Sequence, residues 1–297
     1  MIHQIKKYGS LVVFAHTVFA LPFALIGFTL AYYALHFDCV GAPGYFPIRL
    51  LQVLVCMVTA RNCAMGFNRY VDRFIDAQNE RTQKRELPSG RLSPKAVVIF
   101  LVVNVLIFLG CCFTISRLCF YLAFPTLFIL CGYSYTKRFT WLCHFVLGLA
   151  LAIAPAGAYL SVTGTLTPPV WWLSLMVVLW VGGFDILYAL PDEDFDQEHR
   201  LHSIPQRFGR KWALLLSGGV HLCVLPLMVL FGNSLDKAGF ASTGWAYWVA
   251  VVMFTGLLIY QHAIVGVHNI SKLNRAFFTT NGVASALFAV LTIASML

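Results

Sequence analysis

Nine stretches of about twenty apolar residues divide this chain almost from end to end, and that is the length a helix needs to cross the hydrocarbon core of a bilayer. Inside hydrocarbon every backbone polar group must be satisfied within a helix or a closed barrel, so few folds are open to such a chain. The runs are continuous rather than alternating, which selects helices. Composition points the same way: 59% of the 297 residues are hydrophobic and 11% charged, against about 25% charged in soluble domains, and a water-soluble globule is excluded. The pattern predicts an all-α, polytopic membrane protein with nine spans near 11–35, 48–72, 95–115, 118–136, 141–162, 170–191, 211–231, 244–267 and 276–296.

Loop charge predicts the orientation. If successive loops alternate sides, one side collects 17 of the 21 Lys and Arg residues, and the other holds only Arg49, Arg117 and Lys237. The positive-inside rule then places the N-terminus in the cytoplasm. The opening segment MIHQIKKYGS runs into the first span with no small-residue cleavage site, so the expectation is a mature start. None of the nine cysteines forms a CxxC pair, and they read as small buried hydrophobes rather than a disulfide framework or a zinc site.

The acids are distributed in a way that orientation does not require, since ten of the twelve fall on the same cytoplasmic side. Asn68, Asp72 and Asp76 follow one another at intervals of four, which places all three along one helix face, with Arg61 two turns earlier. Asp192 and Asp196 repeat the interval, with Asp185 seven residues before them. A like-charge pair at i, i+4 is mildly destabilising unless a counterion lies between. Mg²⁺ takes one or two carboxylates together with phosphate oxygens and water, so two such helix ends suit a diphosphate held through bridging ions. Arg81, Lys84 and Arg85 follow the first constellation and Arg200 and Arg207 the second, matching the guanidinium preference for phosphate. A third element, Tyr133 with Lys137 and Arg138, has the same spacing of four. His144, His221, His262 and His268 show no metal-ligand spacing and read as hydrogen-bonded membrane histidines, while His199 and His202 shape the loop after the second motif.

Together these residues resemble the UbiA superfamily of intramembrane prenyltransferases, over the whole length from the first span to the ninth. Asn68, Asp72 and Asp76 match its NxxxDxxxD pattern, Asp192 and Asp196 its DxxxD, and Tyr133 and Lys137 its YxxxK; RTQKRELPSGRLS and HSIPQRFG are similar to its loop sequences. The resemblance implies one domain over 1–297, nine helices around a central cavity, and an active site at its cytoplasmic mouth; the lack of a transit-peptide pattern makes a bacterial cytoplasmic membrane the expected location. It implies that Asn68, Asp72, Asp76, Asp192 and Asp196 bind Mg²⁺ and diphosphate. It also implies that Arg81, Arg85 and Lys137 contact diphosphate oxygens and that Arg61 with Asn68 holds an aromatic acceptor, Tyr133, Arg138 and Asp185 being further substrate-binding candidates. The expected partners are a polyprenyl diphosphate, a small aromatic acid and membrane lipid, not nucleic acid.

Two departures bear on the acceptor. Glu86 stands where the family commonly has proline, and the first span, AHTVFALPFALIG, offers only His16 as an ionisable group where many 4-hydroxybenzoate enzymes carry Arg or Lys. The phrases GFNRYVDRFIDAQN and LHSIPQRFG look closer to the branch that uses 1,4-dihydroxy-6-naphthoate on the way to menaquinone. Both acceptors, the ubiquinone-type 4-hydroxybenzoate and the naphthoate, stay open. From another class, a transporter or binding protein also places acids in a membrane, but near the midplane rather than at one mouth.

Overall fold

The computed structural model describes residues 8–12, 17–37, 46–237, 244–266 and 273–297. Lys6, Lys7, His16, Cys39, His268 and Lys272, which enter the expectations above, lie outside the described residues. Among the described residues every regular element is helical. Eight segments are long and apolar enough to cross a membrane: Phe46–Val71, Pro94–Ile115, Arg117–Thr136, Cys143–Thr163, Pro168–Tyr188, Ile204–Lys237, Trp245–Ile264 and Phe278–Met296, and a shorter apolar helix covers Phe19–Ala34. The protein is an integral membrane protein.

In chain order the helices are α1 (Thr17–Phe37), α2 (Phe46–Val71), α3 (Arg73–Gln78), α4 (Pro94–Ile115), α5 (Arg117–Thr136), α6 (Cys143–Thr163), α7 (Pro168–Tyr188), α8 (Glu193–Glu198), α9 (Ile204–Leu222), α10 (Val224–Lys237), α11 (Trp245–Ile264) and α12 (Asn281–Met296), the last preceded by a π-helical turn at Arg275–Thr280. The predicted spans overlap the membrane helices, with one informative difference. The seventh was expected from residue 211, yet helix begins at Ile204, because Ser203 caps it by accepting from the Gln206 amide and Pro205 sits in its first turn. The helix is then broken at Gly209, whose φ of 79° and ψ of 165° favour glycine.

The chain forms two compact units. The first contains residues 1–17 and 47–135, the second residues 18–46 and 136–297. In the first unit, α4 presents Val98, Ile99, Val102, Val103, Leu106 and Ile107 outward, an apolar stripe suited to lipid. Its inner side is joined to α2 by a hydrogen bond from Asn62 Nδ2 to Asn104 Oδ1, 2.8 Å. The second unit is centred on an aromatic cluster in which the Trp180 ring lies 5.1 Å from Phe23 and 5.0 Å from Phe184, with Phe254 and Phe288 beyond it.

Helices in lipid gain little from hydrophobic burial against one another, so close van der Waals packing at small residues holds them together. At Gly148 on α6 an added Cβ would lie 2.3 Å from the Val178 carbonyl oxygen on α7. Gly148→Ala should therefore force the two backbones apart and destabilise the second unit by about 1–3 kcal/mol. Thermal unfolding in detergent reads this as a lower Tm, and an unchanged Tm would refute the close crossing.

Candidate active site

The first motif is built at the end of α2. Amide hydrogen bonds run from Asp72 to the Asn68 carbonyl (2.9 Å) and from Asp76 to the Asp72 carbonyl (2.7 Å), so the interval of four does stack the three residues on consecutive turns. Asn68 Nδ2 donates to Asp72 Oδ2 at 2.8 Å, holding that carboxylate against its neighbour. Asp76 is buried, and Arg85 Nη1 lies 2.6 Å from its Oδ1 while its Oδ2 is enclosed with no hydrogen-bond partner. The loop is fastened to this turn by Thr82, whose hydroxyl donates to the Asp76 carbonyl at 3.0 Å.

The second motif repeats the local design. Asp72 (φ −89°, ψ 4°) precedes the six-residue helix α3, and Asp192 (φ −93°, ψ 3°) precedes the six-residue helix α8; each helix carries the next aspartate, Asp76 or Asp196, at its fourth position. Asp196 is fully buried: Ser203 Oγ donates to its Oδ2 at 2.8 Å, and the Lys137 ammonium lies 2.7 Å from its Oδ1 as an ion-pair contact without hydrogen-bond alignment. Burial alone would push the Lys137 pKa down, but Asp196 and Asp192 outweigh it and hold the ammonium above the ordinary lysine range. Two other acids of this segment face Arg210, Glu193 at 2.8 Å and Asp194 at 3.6 Å.

Other predicted residues fall into distinct surroundings. Arg61, within α2, has Nε and Nη2 buried with no hydrogen-bond partner. Tyr133, near the end of α5, is an electrostatic neighbour of both Arg61 and Arg69. Arg81 and Arg138 are exposed on the loops. Asp185 does not continue the helix of Asp192, because α7 ends at Tyr188 and a 3₁₀ turn containing Pro191 follows. Its Oδ2 instead lies 2.7 Å from His144 Nδ1.

Three features went unread in the sequence. Arg69 is buried beside the first motif with an unpartnered Nε. Glu86 is buried and accepts from Ser10, with Arg91 3.5 Å away, so the acid at the family's proline position ties segment 8–12 to the loop. Ser203 caps α9 and bonds Asp196 with one hydroxyl; a serine two residues before a proline was its only sequence signal.

Among the described residues no three His, Cys, Asp or Glu side chains are grouped so as to hold a metal ion by themselves. A hard cation needing one or two carboxylates and completing its shell with phosphate oxygens and water is compatible with this donor set. The enclosed, unpartnered Asp76 Oδ2 is an anionic oxygen that such a cation fits.

Residues 20–283 match the UbiA prenyltransferase family. The chain belongs to that family. It is a prenyltransferase, and the UbiA relative named 4-hydroxybenzoate octaprenyltransferase from Vibrio cholerae is 33% identical over 251 residues, covering 84% of this chain and 86% of that one. A solved UbiA homologue from Aeropyrum pernix K1, in its apo form, is 26% identical with a TM-score of 0.78, covering 95% of this chain and 98% of the other. The UbiA homologue from Archaeoglobus fulgidus bound to DMAPP and Mg²⁺, 16% identical, shares the fold with a TM-score of 0.71 over 98% and 99% of the two chains.

Proposed function

We propose that this UbiA protein transfers a polyprenyl group from an allylic diphosphate to a ring carbon of a hydroxylated aromatic acid in quinone biosynthesis. The observation that carries the acidic acceptor is Arg61. Its Nε and Nη2 are buried with no partner, a costly state for charged donors that an anionic ligand relieves. An acceptor carboxylate is such a ligand, and Asn68, two turns along the same helix, is the proposed second contact for the acid.

Asn68, Asp72, Asp76, Asp192 and Asp196 are the proposed ligands of Mg²⁺ and diphosphate. Arg81, Arg85 and Lys137 are the proposed diphosphate contacts, with Tyr133, Arg138 and Asp185 as further substrate contacts. Bound Mg²⁺ would supply positive charge against the departing diphosphate. The cationic side chains add to that stabilisation where charge develops as the allylic C–O bond breaks. The apolar surroundings keep water from the allylic cation. A carbon ortho to the acceptor hydroxyl then forms the new C–C bond, and the ring proton leaves to a nearby base. The name of the Vibrio cholerae relative and the ligands of the Archaeoglobus fulgidus homologue support this reading. In the same reading the whole chain works as one domain with nine crossings, a cytoplasmic N-terminus and its active-site loops on the cytoplasmic face of a bacterial membrane. The basic loops support that orientation.

The test uses protein purified in detergent with Mg²⁺ and an allylic diphosphate, offering 4-hydroxybenzoate and 1,4-dihydroxy-6-naphthoate in competition and identifying products by mass. Prenylation of 4-hydroxybenzoate is expected. Product only from the naphthoate would move the protein to the menaquinone branch, and no product from either acid would refute the acceptor class. Arg61→Leu should raise the KM for the acid by about tenfold to a hundredfold, the worth of a hydrogen bond to a charged group, leaving the KM for the diphosphate unchanged. An unaltered KM for the acid would remove Arg61 from acceptor binding.

A further inference from the structure

We infer that His144 is a positioning residue for prenyl transfer, holding the strap of residues 201–204 that orients Asp196 and Lys137; this role rests on the proposed function. His144 stands in the first turn of α6 and is 2% exposed. Its Nδ1 is 2.7 Å from Asp185 Oδ2 on α7, and its Nε2 is 3.2 Å from the Ile204 amide nitrogen at the start of α9. A backbone amide only donates, so Nε2 presents its lone pair there. The ring proton therefore sits on Nδ1 and is donated to Asp185, which fixes a neutral tautomer. Both ring nitrogens are engaged, and the ring has no edge left for proton transfer to a substrate. It acts through what it holds.

What it holds is continuous with the second motif. The Leu201 amide donates to the Asp196 carbonyl at 2.8 Å and the His202 amide to the Lys137 carbonyl at 2.6 Å. Cys143 Sγ donates to the His202 carbonyl at 3.5 Å, and the Ser203 hydroxyl to Asp196 Oδ2 at 2.8 Å. The Ile204 amide is among the first of α9, where no helix carbonyl is available to it, so His144 supplies the acceptor. One short strap thus fixes the Asp196 carboxylate and the backbone of Lys137, and the His144–Asp185 pair anchors its far end to α7. Without His144 the strap loses that anchor, and the carboxylate and the ammonium lose their shared orientation.

Glutamine tests this directly, since its amide N–H can donate to Asp185 and its carbonyl can accept from Ile204, whereas leucine can do neither. The readouts are Mg²⁺-dependent binding of inorganic diphosphate by calorimetry and the separate KM values for allylic diphosphate and aromatic acid. His144→Leu should weaken diphosphate binding and raise the diphosphate KM by about tenfold, the loss associated with a hydrogen bond to a charged group. The acid KM should stay unchanged, and His144→Gln should recover most of the loss. Leucine binding diphosphate as tightly as wild type, or glutamine as weakly as leucine with both variants folded, overturns the role. A nitrogen NMR spectrum of wild-type protein labelled at histidine, with His144→Gln as the reference for assignment, needs no folded leucine variant. It should show the His144 proton on Nδ1 and a bare Nε2; a proton on Nε2 overturns the role. If wild-type protein itself fails to bind diphosphate with Mg²⁺, the proposed function falls and this role with it, whereas normal wild-type binding with an unaffected leucine variant removes this role alone.

Discussion

Asp76→Asn is expected to slow prenyl transfer by about two to three orders of magnitude, the usual cost of removing a preorganised charge that acts on a transition state. The carboxylate has two tasks in the structure. Oδ1 takes the Arg85 guanidinium at 2.6 Å, and Oδ2 is enclosed without a hydrogen-bond partner. An amide is nearly isosteric but carries no charge, and it turns one of those oxygens into a donor. Either the amide meets Arg85, donor against donor, or it faces the place proposed for the cation. Both orientations lose an interaction. The measurement is the rate of prenyl transfer at saturating substrates, with Tm as the control for folding. A rate within threefold of wild type in a folded variant would remove Asp76 from the proposed metal and diphosphate site.

Lys137→Met is expected to change metal and diphosphate binding in opposite directions. Lys137 lies 2.7 Å from the fully buried Asp196, beside the carboxylate proposed to bind a divalent cation. Removing it leaves a buried carboxylate uncompensated. Breaking one side of a buried pair costs about 3–5 kcal/mol, and the lower end applies because the lysine side chain is 34% exposed. The variant should melt well below wild type in EDTA, and Mg²⁺ should raise its Tm more than that of wild type. Its affinity for inorganic diphosphate should fall by about tenfold to a hundredfold, since a charged donor to phosphate is gone. Equal Mg²⁺ stabilisation of variant and wild type would show that the lysine does not compete with a cation at Asp196. The same arrangement occurs at Asp76 with Arg85, so each unit keeps a buried carboxylate neutralised by the basic residue proposed to take phosphate.

The first motif was legible because its geometry is local. An interval of four stacks residues on successive turns, and the amide bonds from Asp72 to Asn68 and from Asp76 to Asp72 keep that interval across the break at Asp72 between α2 and α3. The second motif was legible only in part. Asp192 and Asp196 are again one local turn, but the step back to Asp185 crosses the turn containing Pro191, and the Oδ2 of that aspartate meets His144. His144 read as an ordinary hydrogen-bonded membrane histidine, and so it is; its partners, 41 and 60 residues away, carry the meaning.

By itself the sequence determined the membrane class, the helical elements, the sites of the acidic turns and the family resemblance. Each of these follows from short-range rules: about twenty apolar residues to cross a bilayer, 3.6 residues to a helical turn. Only the tertiary structure decided which cation neutralises which carboxylate, that Arg61 is left with enclosed donors, and that one strap joins Lys137, Asp196, Ser203 and His144. Those pairings join residues far apart in the chain. Buried polar groups take whichever partner the packing of helices brings within hydrogen-bond reach, and no spacing within one segment encodes that choice.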